Sequence, residues 1–249
     1  MVIDRESRRY ALLQAVKDSD YIKKVRGGYY NLYVQAFGDE GEKWDLFRVY
    51  EGDFPDFNEL HKYDGFVITG SPYDAHGNDY WVLKLCFMLK IMDAMKKKVL
   101  GICFGHQVIS RALGGRVGKS QTGWDIGIRE VHLVKDVGPY SYLVQHDMSA
   151  SLSIFEVHQD EVYEVPPGAQ VIASSEKTRI EMFGIADHIL GIQGHPEYTR
   201  DILFDLIDRL LNTDIIKKEF AEDLKCRIQL AEPNKQCWEM ICRNFLKGK

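Results

Sequence analysis

The chain reads as an α/β protein built on a central, mostly parallel sheet. Short apolar runs alternate with stretches that carry apolar residues at helical spacing, the pattern of βαβ units. Several of the strand-like runs are apolar at nearly every position, as strands covered on both faces are. A length of 249 residues, with 45% hydrophobic and 28% charged content, is enough for one large core.

In order, "YALLQAV" (residues 10–16) is a first buried strand, and "GGYYNLYVQAFGDEG" is a helix opened and closed by glycine. "WDLFRVY" and "YDGFVITG" are the second and third strands, and "DYWVLKLCFMLKIMDAMKKK" is a long helix. "KVLGIC" is the fourth strand. From about residue 117 to 192 the segments shorten and partly alternate: "IREVHLV", "IFEVHQDEVYEV", "AQVIASS", "RIEMFGIA" and "HILGIQ". They predict an antiparallel or mixed extension of the sheet. Beyond Tyr198 the chain is helical again, with Pro233 separating the last two helices. The expected organisation is a single domain over residues 1–249, with 212–249 as a helical C-terminal extension.

Composition narrows the function. The formal net charge is -5 and there is no long basic stripe, which removes the electrostatic footprint expected for nucleic acid or an anionic membrane. The five cysteines (Cys86, Cys103, Cys226, Cys237, Cys242) form an odd set without a CxxC pair, against a disulfide framework or a zinc ribbon. The opening "MVIDRESRRYALL" has no signal-peptide core, and no apolar run reaches the roughly 18 residues of a membrane span. A soluble protein of the cytosol is the expectation.

One cysteine stands apart. In "VLGICFGHQVISRALGG", Cys103 sits between Gly101 and Gly105 where an apolar strand gives way to a helix, the context of a nucleophile elbow. Such a corner holds its nucleophile at strained backbone angles, and the residues two before and two after must be small where strand and helix cross. The helix also aims its N-H groups and positive end at the thiol. A buried structural cysteine in a βα turn is the plain alternative. The other four cysteines lie in helical patterns and are expected in the core.

A cysteine acting on an acyl carbon needs a base and a group that orients it. "ILGIQGHPEY" is an apolar strand ending in Gly194-His195-Pro196-Glu197, where His195 and Glu197, two apart, share a direction in extended chain. Its end belongs at the carboxyl edge of a parallel sheet, where α/β sites form. His158 and Asp160 in "EVHQDEV" are a rival pair, ranked second because they lie inside a strand-like run. His106 is expected to cap or pack. His61, His76, His132 and His146 have no acid that stands out beside them.

Acyl transfer also needs donors for a developing oxyanion. The N-H of Phe104 is one, and the turn "TGSP", with the N-H groups of Gly70 and Ser71, offers the second. The glycine-punctuated loop of residues 118–127 carries an isolated Trp124 that could wall a pocket. No metal or organic cofactor is called for, and no metal-ligand spacing such as HExxH occurs.

These motifs resemble those of the class I, triad-type glutamine amidotransferases: a G-x-C-x-G-x-Q elbow at Gly101, Cys103, Gly105 and Gln107, and a G-H-P-E segment at residues 194–197, with His195 lying 92 residues after Cys103. The oxyanion turn ends in Ser71-Pro72 where the family has Gly-Pro, a mild departure because the backbone N-H acts. The resemblance spans about residues 10–211. It implies a flavodoxin-like three-layer sandwich, a Cys103 thiolate that attacks a γ-glutamyl amide, His195 as acid and base, Glu197 as its orienter, and Gln107 helping to hold the glutamyl group.

No synthetase domain accompanies these motifs. "GDEGE", "KYDGFVI", "KKKVLGICFGHQ", "VHQDEV", "IQGHPEY" and "ICRNFLKGK" resemble the plant γ-glutamyl peptidases, the stand-alone branch of this family. That likeness implies cleavage of glutathione conjugates to glutamate and a Cys-Gly conjugate, within sulfur-compound biosynthesis of the glucosinolate type. The alternative is a glutaminase subunit that delivers ammonia to a separate synthetase. A binding module with a vestigial elbow is disfavoured because all three triad residues are present, and an α/β-hydrolase because its acid precedes its histidine.

Overall fold

The computed structural model describes residues 7–134, 140–143 and 150–249. The chain passes from β1 (Arg9–Gln14) through α1 (Asp20–Arg26) and α2 (Tyr29–Phe37) to β2 (Lys43–Arg48), β3 (Gly65–Ile68), α3 (Tyr80–Ala94), β4 (Lys98–Ile102) and α4 (Phe104–Ala112). Then come β5 (Arg116–Lys119), β6 (Asp125–Leu133), β7 (Ser151–His158), β8 (Asp160–Glu164), β9 (Gln170–Ser174), β10 (Met182–Ile185) and β11 (Ile189–Ile192). The helices α5 (Arg200–Asn212), α6 (Lys218–Gln229) and α7 (Lys235–Lys247) follow.

Nine strands form one sheet in the order β2-β1-β3-β4-β11-β10-β9-β6-β7. The first five are parallel to one another, and from β11 onward every pairing is antiparallel. The expected parallel sheet with an antiparallel continuation is therefore what forms. β5 and β8 make a small separate antiparallel pair.

Side chains of the central strands alternate between two cores, which makes the molecule three-layered. Tyr10, Leu12, Val67, Leu100, Ile102, Leu190 and Ile192 pack on one face with residues of α2, α5 and α7. Ala11, Leu13, Phe66, Ile68, Val99 and Ile189 pack on the other with α3 and α4. The final helix belongs to the first of these cores: Trp238, Ile241 and Phe245 are at most 1% exposed there. Each contributes about 2 kcal/mol by leaving water.

The sequence reading missed α1. Ser19 caps it by accepting from the Ile22 N-H at 3.1 Å, and Gly27 ends it in the left-handed region at φ 72°, so the glycines at 27–28 close one helix before they open the next. "IFEVHQDEVYEV" is likewise two strands, since β7 ends at His158 and β8 leaves for the small sheet. Of the four cysteines expected in the core only Cys242 is buried; Cys226 is exposed, Cys86 and Cys237 are half-buried, and all five are free. His146 lies outside the described residues. No described helix is long and apolar enough to cross a membrane.

Candidate active site

Because β1, β3, β4 and β11 are parallel, their carboxyl ends open at one edge, and the predicted residues meet there. β4 and β11 are in register, Gly101 beside Gly191 and Ile102 beside Ile192, and the Cys103 N-H donates to Ile192 O at 2.8 Å. Cys103 then turns at φ 52° and ψ -103° into α4. For a residue with a Cβ this conformation costs on the order of 1–3 kcal/mol, which the packing around it must impose.

The flanking glycines show how. A Cβ on Gly101 would lie 2.5 Å from the Gly105 carbonyl, and one on Gly105 would lie 2.5 Å from Ile68 O. Strand, elbow and helix thus touch through bare backbone. Cys103 itself is 5% exposed.

His195 and Glu197 converge on it. The His195 Nδ1 meets Glu197 Oε1 at 2.9 Å, and the ring lies within hydrogen-bonding reach of Cys103, which leaves Nε2 to the sulfur. Burial alone would discharge this imidazole. The carboxylate of Glu197 and the sulfur of Cys103 outweigh it and hold the His195 pKa up at about 10. The site is thereby set for a thiolate–imidazolium pair.

Three residues that the sequence reading did not single out complete the geometry. Tyr198 stacks on the His195 ring with centroids 4.0 Å apart and planes 6° apart. Tyr33 of α2 donates its hydroxyl to Glu197 Oε1 at 2.8 Å and accepts from the Gly70 N-H at 3.1 Å. Lys235, opening α7, donates to the carbonyls of Pro196 and Glu197 at 3.0 and 2.9 Å.

The Tyr33 bond corrects one assignment. The Gly70 N-H is committed to a phenol and is not free for an oxyanion, so the second donor falls to Ser71. The Ser71 Oγ donates to Ala15 O at 2.7 Å and fixes the turn, while its backbone N-H takes no partner among the described residues. Gly70 has a different necessity: a Cβ there would lie 2.8 Å from His195 Cε1 and 3.6 Å from Cys103 Cβ. The Phe104 N-H, first in α4, has no intrahelical carbonyl to bond.

Gln107 is corrected in the same way. Its amide nitrogen donates to Asp160 O at 2.8 Å and Gln193 Oε1 at 3.1 Å, so it ties the elbow helix to the start of β8 and does not offer that nitrogen to a ligand. Trp124 is half-buried against the first core, with its carbonyl accepting from Lys177; none of these contacts joins it to the triad. The rival His158 does not pair with the Asp160 carboxylate: its Nδ1 bonds the Asp160 carbonyl at 2.9 Å, and burial lowers its pKa to about 4. His106 packs, with its ring 4.8 Å from that of Phe183.

With this geometry in place the relatives can be compared. A family model described as glutamine amidotransferase class-I matches residues 26–202. The chain belongs to that family. Among curated proteins it is 50% identical to gamma-glutamyl peptidase 3 of Arabidopsis thaliana over 249 residues, covering 100% of both chains. It is 49% identical to gamma-glutamyl peptidase 5 of the same plant over 245 residues, 98% of this chain and 97% of that one. Among solved structures, a glutamine amidotransferase from Thermotoga maritima superposes with a TM-score of 0.71 at 19% identity, covering 96% of this chain and 98% of the other. These structures share the fold.

One grouping near this class I amidotransferase site has metal-ligand chemistry. Single ligand atoms of Asp74, His76 and Asp160 lie within 4.8 Å of one another. His76 Nδ1 is 3.2 Å from Asp160 Oδ2, so a histidine–carboxylate contact accounts for the arrangement without an ion. Sequence reading could not see it, since His76 and Asp160 come from different loops.

Proposed function

We propose that this protein is a cysteine hydrolase that cleaves the γ-glutamyl amide bond of glutathione conjugates through a γ-glutamyl thioester on Cys103. The observation that carries the reading is the convergence of the strained Cys103, His195 and Glu197 at one sheet edge, beside the unbonded N-H groups of Phe104 and Ser71. The likeness to the Arabidopsis peptidases along the whole chain supports the bond class.

The Cys103 thiolate attacks the γ-carbonyl carbon, and the two N-H groups hold the oxyanion. Collapse expels the amine, which takes the His195 proton. His195, now neutral, removes a proton from water, and the resulting hydroxide attacks the thioester carbon. Glutamate leaves and the thiolate returns. The other product is a Cys-Gly conjugate, as sulfur-compound biosynthesis of the glucosinolate type requires, and five free thiols suit a reducing compartment such as the cytosol.

The test compares turnover of an S-substituted glutathione with that of free glutamine by the purified protein. Preference for the conjugate is expected. Preference for glutamine, especially if it rises with a synthetase partner, would make the chain a glutaminase subunit. An electrophilic glutamine analogue should label Cys103 and fail on Cys103→Ala.

A further inference from the structure

Beneath the catalytic turn lies a group of acids that the hydrolytic steps leave unused. Glu156 of β7 is 0% exposed, Glu181, just before β10, is 2% exposed, and Asp125 of β6 is 1% exposed. Asp125 is answered by Arg129 at 2.6 Å and, at 4.0 Å, by Lys177. Neither carboxylate oxygen of Glu156 nor of Glu181 has a donor, although the two carboxyls are within hydrogen-bonding reach of each other. Buried carboxylates that face only one another cannot both stay charged, so the pair must hold a proton or take up a cation.

His158 sharpens this. Its Nδ1 bonds a backbone carbonyl, which only accepts, so the proton of this neutral ring sits on Nδ1 and Nε2 is a lone pair. That Nε2, on a side chain only 3% exposed, has no partner and points at Glu156 Oε2 from 3.4 Å. Two acceptors therefore face each other with no donor between them.

The place matters as much as the chemistry. Glu156 Oε1 lies 2.4 Å from where a Cβ would stand on Gly194, the residue before His195, and the Glu156 charge reaches Cys103. The remaining charged groups around it are Asp125 and Arg129 of β6, Glu181, Lys177 and the catalytic pair. A γ-glutamyl group carries an α-ammonium three carbons from the carbonyl that Cys103 attacks. We infer, on the γ-glutamyl reading above, that Glu156 with the Nε2 of His158 receives this α-ammonium, which replaces the shared proton and makes Glu156 a specificity-determining residue.

Two anilides with the same leaving group, γ-glutamyl-p-nitroanilide and glutaryl-p-nitroanilide, differ only in the amino group. The unaltered enzyme should prefer the first in kcat/KM by about a hundredfold or more, as sites built around a polar group reject analogues that lack it. Glu156→Gln should shrink that ratio at least tenfold. An unchanged ratio, with both substrates impaired alike, would reduce Glu156 to a structural role and overturn the inference, as would an unaltered enzyme that cleaves both equally. If neither anilide nor any γ-glutamyl amide is cleaved, the hydrolase reading itself fails.

A second measurement does not depend on a Glu156 variant. Calorimetry on Cys103→Ala at pH 7, in buffers of different ionisation heat, should show about one proton released when S-methylglutathione binds and none for its desamino analogue. Binding of S-methylglutathione without proton release would also overturn the assignment.

Discussion

The parallel half of the sheet and its antiparallel continuation treat buried charge in opposite ways. At the parallel edge each charge is answered: Glu197 Oε1 takes both the Tyr33 hydroxyl and the His195 ring, and His195 in turn faces Cys103. In the antiparallel half, Glu156 and Glu181 face acceptors only. Answered charge fixes geometry and serves chemistry. Unanswered charge binds a proton until a better cation arrives.

That contrast can be broken by experiment. Substitutions at the parallel edge should cost rate, whereas those in the antiparallel half should change recognition or pH dependence. The largest expected effect is His195→Asn, a fall in kcat of about ten-thousandfold, with His158→Asn raising KM more than it lowers kcat. Steady-state kinetics on both variants decide this, and the opposite ranking would move the base to β7. Because His195 keeps its proton up to about pH 10, the rate of Cys103 alkylation by iodoacetamide should be flat from about pH 6 to 9. In His195→Asn it should climb with pH.

Tyr33→Phe comes next. It removes a hydrogen bond to a buried carboxylate and frees the Gly70 N-H, so kcat should drop by about ten- to a hundredfold while KM changes little. A change confined to KM would show that the hydroxyl does not position the triad.

Glu181→Gln tests the other half. Burial raises the Glu181 pKa to about 8, above its ordinary value in an unfolded chain near 4.3. Between those values the folded protein keeps a proton that the unfolded chain has released, so stability falls as pH rises. The variant has no such slope. Its Tm should exceed that of the unaltered protein by several degrees at pH 8 and by little at pH 5; equal Tm values at both would mean that the carboxyl is not under electrostatic stress.

The smallest effect concerns the elbow. Cys103→Gly relieves the positive φ that Cys103→Ala retains, so the glycine variant should melt about 2–4 °C higher, and both should be inactive.

The legible parts of the sequence were local ones. The elbow and the Gly-His-Pro-Glu turn announce themselves because a tight strand–helix corner and a two-residue offset are short-range geometry. What escaped came from distant elements. Tyr33 sits in the apolar stripe of a helix and looks like core, and its hydroxyl matters only because α2 lies over Glu197. Tyr198 and Lys235 likewise act through packing. The split of β7 from β8 at Gln159 has no turn residue to mark it, and the Glu156–Glu181 contact joins strands whose register no motif encodes.

The bond from Lys235 to the carbonyls of Pro196 and Glu197 has a consequence for how the enzyme comes into being. Nucleophile, base and orienting acid are all translated before it, yet the turn that carries two of them is clamped only when helix α7 arrives. A ribosome-bound chain stalled short of residue 235 would carry the whole triad and remain an unset trap, so a reactive thiolate is withheld from the surrounding metabolite pool until synthesis has passed the helix that closes it.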